Sequence, residues 1–170
     1  INTWDTSRVT TGESLFMNKT NFNSELNSWN VSGFTTMRQM FWDSGFDRDI
    51  NSWDVSSVTS FHQAFLGTPF NQPLGNWDTS NGEVFNAMFA SIVRHSGGDR
   101  GDERSSHEIE KNVKNHKINP PSLPPSSDQA NFDQDLNMWN TSKATNMGSM
   151  FLNAASFNQP LNMWNTSNAT

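Results

Sequence analysis

The chain has 170 residues, enough for one ordinary domain, with 33% hydrophobic residues, seven Trp, thirteen Phe and neither Cys nor Tyr. The lack of Cys excludes disulfide staples, and a formal charge of −6 sets the chain against nucleic acid as a partner. Aromatic content of 12% argues against a wholly disordered chain, and no apolar run is long enough to span a membrane.

One nine-residue phrase recurs along the chain. It reads NTWDTSRVT from Asn2, NSWNVSGFT from Asn27, NSWDVSSVT from Asn51, GNWDTSNGE from Gly75, NMWNTSKAT from Asn137 and NMWNTSNAT from Asn162. Its tryptophans, Trp4, Trp29, Trp53, Trp77, Trp139 and Trp164, fall 25, 24, 24, 62 and 25 residues apart. Three residues before each lies Ile1, Leu26, Ile50, Leu74, Leu136 or Leu161, and three after each lies a Ser. Twelve after lies Phe16, Phe41, Phe65, Phe89 or Phe151.

A single unit has too few apolar residues to bury itself, whereas stacked units share a continuous core. The alternation of Trp, a polar residue and Thr or Val predicts a short parallel strand with one buried face. The spacing of Phe34, Met37, Met40 and Phe41 predicts one or two helical turns. Strand, helical turn and loop every 24 or 25 residues together predict an α/β solenoid of leucine-rich-repeat-like coils. Residues 1–170 then form one array, cut at both ends from a longer chain. Gly12 and Gly82 stand where other units carry Met and Val, and are expected to weaken packing by roughly 1–3 kcal/mol each if the neighbours do not close in.

The phrases WDVSSVTSFHQAF and WNTSKATNMGSMF, each followed by FNQPL, resemble the repeats of the family DUF285, within the BspA-like leucine-rich-repeat surface proteins. The resemblance covers roughly residues 1–90 and 130–170. It implies a leucine-rich-repeat fold and a place on the cell surface.

Residues 91–129 interrupt the fourth unit with a different chemistry: a glycine- and charge-rich stretch, then SSHEIEKNVKNHK, then the proline-rich INPPSLPPSSDQ. The middle stretch predicts a short helix with Ser105 and Glu108 as its capping box, inside a flexible loop. Stacking is expected to resume beyond it. Arg100, Gly101 and Asp102 spell an Arg-Gly-Asp tripeptide similar to an integrin-binding motif, the insertion's one candidate partner site. His95, His107 and His116 follow no metal-ligand spacing, so no metal site is expected.

The acidic and amide column Asp5, Asn30, Asp54, Asp78, Asn140 and Asn165 is the candidate ligand-binding surface, because it is expected to point outward between buried neighbours. Such a face suits a sugar or a divalent cation, but capping of the backbone where the strand turns is the favoured reading. No cofactor is expected otherwise. No Cys nucleophile and no Ser-His-Asp pattern is present, so no catalytic residue is named and the chain is read as no enzyme. Asn18, Asn30, Asn140, Asn165 and Asn168 begin Asn-x-Ser/Thr sequons, relevant only in a eukaryotic secretory source.

The functional expectation is a non-catalytic module for adhesion or recognition of a surface protein or glycan. It would be extracellular or on the cell surface, anchored through a region outside this chain. The alternatives are a passive structural spacer of a cell-envelope protein and an accessory region of a carbohydrate-active enzyme.

Overall fold

A computed structural model describes residues 1, 3–92 and 131–170 of the chain. Among these there is no α-helix and no β-strand. The backbone consists of turns, bends and irregular chain, joined by four isolated parallel bridges: Thr11 with Thr36, Thr36 with Ser60, Ser60 with Val84, and Val84 with Asn146. The expected α/β leucine-rich-repeat-like solenoid is therefore incorrect, and with it the likeness to BspA-like leucine-rich-repeat proteins as a guide to architecture. The short helix expected at Ser105 and Glu108 lies outside the described residues.

The physical reason lies in left-handed residues, one or two in each of the first five coils. Ser14, Gln39, Gln63, Ala87 and Ser149 have φ between 52° and 57°, each ten residues after a phrase tryptophan. Four residues further on, Asn18, Asp43, Gly67 and Asn153 have φ between 52° and 70°. A helix tolerates no such residue, because each one reverses the direction of the next peptide group. The apolar spacing that suggested helix is thus produced by a row of tight turns.

Within these rows the N–H groups alternate in destination. Gly12, Ser14, Phe16 and Asn18 donate to the carbonyls of Thr36, Arg38, Met40 and Trp42 in the next coil, at 2.7–2.9 Å. Met37, Gln39, Phe41 and Asp43 do the same to Ser60, His62, Ala64 and Leu66. The residues between them close turns inside their own coil, as Met40 does onto Met37 and Trp42 onto Gln39. Every second amide therefore ties one coil to the next while its neighbour shapes the coil, so the buried backbone is satisfied without a ladder of extended strands.

The phrase itself fails as a strand because a turn closes on each side of it. Trp53 N–H donates to Ile50 and Val58 N–H to Val55, leaving too short an extended run to pair. Side chains make the inter-coil links there instead. The indole Nε1 of Trp29, Trp53, Trp77, Trp139 and Trp164 donates to the carbonyl of Ile1, Leu26, Ile50, Leu74 and Leu136, at 2.8–3.2 Å. Where the column two residues later holds Thr, its hydroxyl donates onward: Thr6 to Asn30 O, Thr79 to Asn140 O and Thr141 to Asn165 O. A buried hydroxyl with a partner costs little, which is why Thr can stand in for Val in that column.

The core is one apolar spine running through the coils. Phe41, Phe65 and Phe89 stack in series at ring-centroid distances of 5.5 and 5.6 Å, and each coil adds a loop phenylalanine such as Phe46, 4.1 Å from Phe41. A second, smaller cluster of Trp42, Leu66, Ala87 and Ala90 is buried as well, with Met17, Ile92 and Leu152 packed against it. Gln39 donates through Nε2 to Gln63 Oε1 at 2.8 Å, both side chains being buried.

Residues 85–91 donate to 146–152 as the earlier rows do, for example Phe85 N–H to Asn146 O at 2.8 Å and Ser91 N–H to Leu152 O at 2.8 Å. The coil after residues 91–129 therefore sits directly on the coil before them.

The two glycines are also better housed than their sequence suggests. A Cβ at Gly82 would collide with the Phe85 ring, and one at Gly12 would come within 2.9 Å of Met40 Sδ and of the Phe34 ring. Neighbouring side chains already fill both positions, so the expected packing defects are absent.

Candidate functional site

The six residues of the acidic and amide column, Asp5, Asn30, Asp54, Asp78, Asn140 and Asn165, are all exposed and belong to successive coils. Each turns back on its own backbone. Oδ1 of each accepts the N–H of the serine two residues on: Ser7, Ser32, Ser56, Ser80, Ser142 and Ser167, at 2.9–3.1 Å. Serine hydroxyls add a second bond, as from Ser56 Oγ to Asp54 at 2.6 Å and from Ser32 Oγ to Asn30 at 2.7 Å. The column thus closes one small turn per coil.

The titration of its acids follows from these bonds. The Ser7 hydroxyl, then the Ser7 N–H, holds the Asp5 carboxyl below its ordinary value. Ser56 does the same for Asp54, hydroxyl first. For Asp78 the Ser80 N–H leads and its hydroxyl follows, opposed slightly by burial and by the charge of Asp54 in the coil beneath. Hydrogen bonds to the ionised form therefore outweigh repulsion along the column. Among the described residues no group of three or more His, Asp or Glu side chains is placed to hold a metal ion.

A second polar column, absent from the expectations drawn from the sequence, carries more of the inter-coil bonding. Asp47 Oδ1 accepts the Asn71 N–H at 3.0 Å and the Gln72 side-chain amide at 2.9 Å. Asn71 Oδ1 accepts the same pair from Asp133 and Gln134, both at 3.0 Å. Asp133 Oδ1 accepts the Asn158 N–H at 2.8 Å and the Gln159 amide at 3.0 Å. The signal was in the recurring Phe-Asn/Asp-Gln of FNQPL and FDQDL. One Asx oxygen per coil receives both donors of the next coil, so the two residue types must follow each other.

No buried side-chain nitrogen or oxygen lacks a partner among the described residues. No helix among them is long and apolar enough to cross a membrane. Arg100, Gly101 and Asp102, and the histidines His95, His107 and His116, lie outside the described residues.

The adhesion or recognition module expected from the sequence rested on repeating units of strand and helical turn. No such units form among the described residues, and that functional reading falls with them. No curated protein and no solved structure matches the chain. The family model described as "Mycoplasma protein of unknown function, DUF285" matches residues 1–97 and 126–170, and the chain belongs to that family.

Proposed function

We propose that the chain does no chemistry and serves as a rigid, load-bearing element of a protein that works at or outside the cell surface. The observation that supports this most is the internal use of its polar side chains. The exposed Asx column bonds its own serines, the Asp47–Asn71–Asp133 column bonds the next coil, and the Thr hydroxyls bond neighbouring carbonyls. Side chains already bonded to their own fold in every coil are poor candidates for nucleophiles, general bases or ligand contacts.

Rigidity follows from the same bonds. Each coil is fixed to the next by backbone amides, an indole N–H and Asx oxygens, over a spine of stacked rings. A surface location fits the chain's acidic, amide-rich exterior, and any partner there would be protein or glycan rather than nucleic acid.

The test is calorimetric titration of the chain with Ca2+ and with a panel of oligosaccharides. No saturable heat is expected. Saturable binding that disappears in a D54N/D78N variant would make the column a ligand site and overturn the proposal. Protease treatment of intact cells tests the location: cleavage without lysis is expected, and protection until lysis would contradict it.

A further inference from the structure

The residue before each phrase tryptophan forms a column on the exterior: Thr3, Ser28, Ser52, Asn76, Met138 and Met163. Four of the six are polar. The other two are methionines in adjacent coils, 77% and 66% exposed. Met138 has a coil on either side of it, so its exposure belongs to the column and not to an end of the stack. The chain's other methionines face the interior. Met37, Met40, Met88 and Met150 are buried, and Met17 and Met147 are partly buried against the two apolar clusters.

We infer that Met138 and Met163 form a paired site of oxidation by hydroperoxides, able to take up oxygen as sulfoxides without loosening the fold. With no Cys in the chain, two-electron oxidation of sulfur falls on methionine. In the reaction a thioether lone pair attacks the terminal peroxide oxygen and the O–O bond breaks. Sulfur keeps that oxygen as a sulfoxide, and the other leaves as water or alcohol after taking up a proton. Sulfur is oxidised by two electrons and the peroxide is reduced by two.

Two features of the surroundings carry the inference. Met138 and Met163 line a shallow cavity of about 220 Å3 with Asn137, Trp139, Asn140 and Asn165, which admits a small peroxide and surrounds the new oxygen with amides. The same column also holds Thr, Ser or Asn in other coils, so a polar group at this position is already compatible with the stack. Oxidation of Met37 or Met40 would instead place a polar oxygen among the buried apolar side chains of the spine.

The experiment is graded hydrogen peroxide treatment of the whole chain, followed by peptide mapping and thermal melting. Met138 and Met163 are expected to convert at least about tenfold faster than Met37, Met40, Met88 and Met150, following exposure. The doubly oxidised chain is expected to keep its melting temperature, and M138L/M163L to lose the fast phase while melting normally. A fast phase that persists in M138L/M163L, or a melt that falls when only these two sulfurs are oxidised, would overturn the inference.

Discussion

Trp77 and Trp139 lie face to face, ring centroids 6.3 Å apart and planes 5° from parallel, although 62 residues separate them. Phe89 and Phe132 pair across the same interval at 3.8 Å, as Phe65 and Phe70 do within their own coil at 4.3 Å. The junction has the register of an uninterrupted one. Removing the 38 residues 93–130 from that interval restores a spacing of 24 and places Ser91 and Phe132 three positions apart, as Gly67 and Phe70 are. A chain with Ile92 joined to Asn131 is expected to fold, with stability unchanged or raised by about 1 kcal/mol through the shorter closure. Chemical denaturation checks this; loss of cooperative unfolding would show that residues 93–130 hold the stack together.

Gly82→Val restores the residue found at that column in the first and third units, and column agreement alone would favour it. The Phe85 ring occupies the space, so the change is expected to destabilise the chain by about 1–3 kcal/mol through overpacking. Equilibrium unfolding decides it, and a stabilised G82V would mean that the ring moves aside freely.

Ser149 sits at φ 57° and is only partly buried. Glycine adopts that conformation without steric cost, so Ser149→Gly is expected to stabilise by about 0.5–1 kcal/mol. Ser149→Val is expected to lose about 1–2 kcal/mol, because a β-branched residue is worst placed there. Thermal melts of the two variants should move in opposite directions; a common direction would argue against the left-handed turn.

Acid sensitivity follows from the exposed column. The carboxyls of Asp5, Asp54 and Asp78 titrate lower in the folded chain than the unfolded value of 3.8. Their contribution to stability is therefore present above that value and lost as pH falls through the lower, folded one. D5N/D54N/D78N keeps the turn, as Asn30 and Asn140 show, but carries no charge to lose. Melting measured from neutral to acid pH is expected to fall less steeply for this variant than for the parent. Parallel curves would remove the column from the pH response.

The tryptophan and phenylalanine columns were legible in the sequence because burial selects one residue type at a fixed interval. Ile1, Leu26 and Ile50 could be read as apolar, but not as carbonyl partners for the indoles of the following coil. The turn rows were not legible. Left-handed positions usually announce themselves with Gly or Asn, and Asn18, Asn153 and Gly67 do so, but Ser14, Gln39, Asp43, Gln63, Ala87 and Ser149 do not. Without that signal, Phe34, Met37, Met40 and Phe41 match a helical period as well as a row of turns. Trp42 belongs to no tryptophan column, so its burial in a second cluster was not foreseen. For the exposed column, Asp-x-Ser spacing permitted both a ligand surface and a local turn; the distances from Asp54 to Ser56 favour the turn.

The most direct test of the coil-on-coil register uses the absence of native Cys. Val84 and Asn146 form a parallel bridge across the interrupted interval, a separation of backbones that a disulfide can span. V84C/N146C is expected to oxidise nearly completely in the folded chain and to raise its melting temperature, while V84C/G148C, two positions out of register, stays largely reduced. Equal cross-linking of the two pairs, or none in V84C/N146C, would contradict the account.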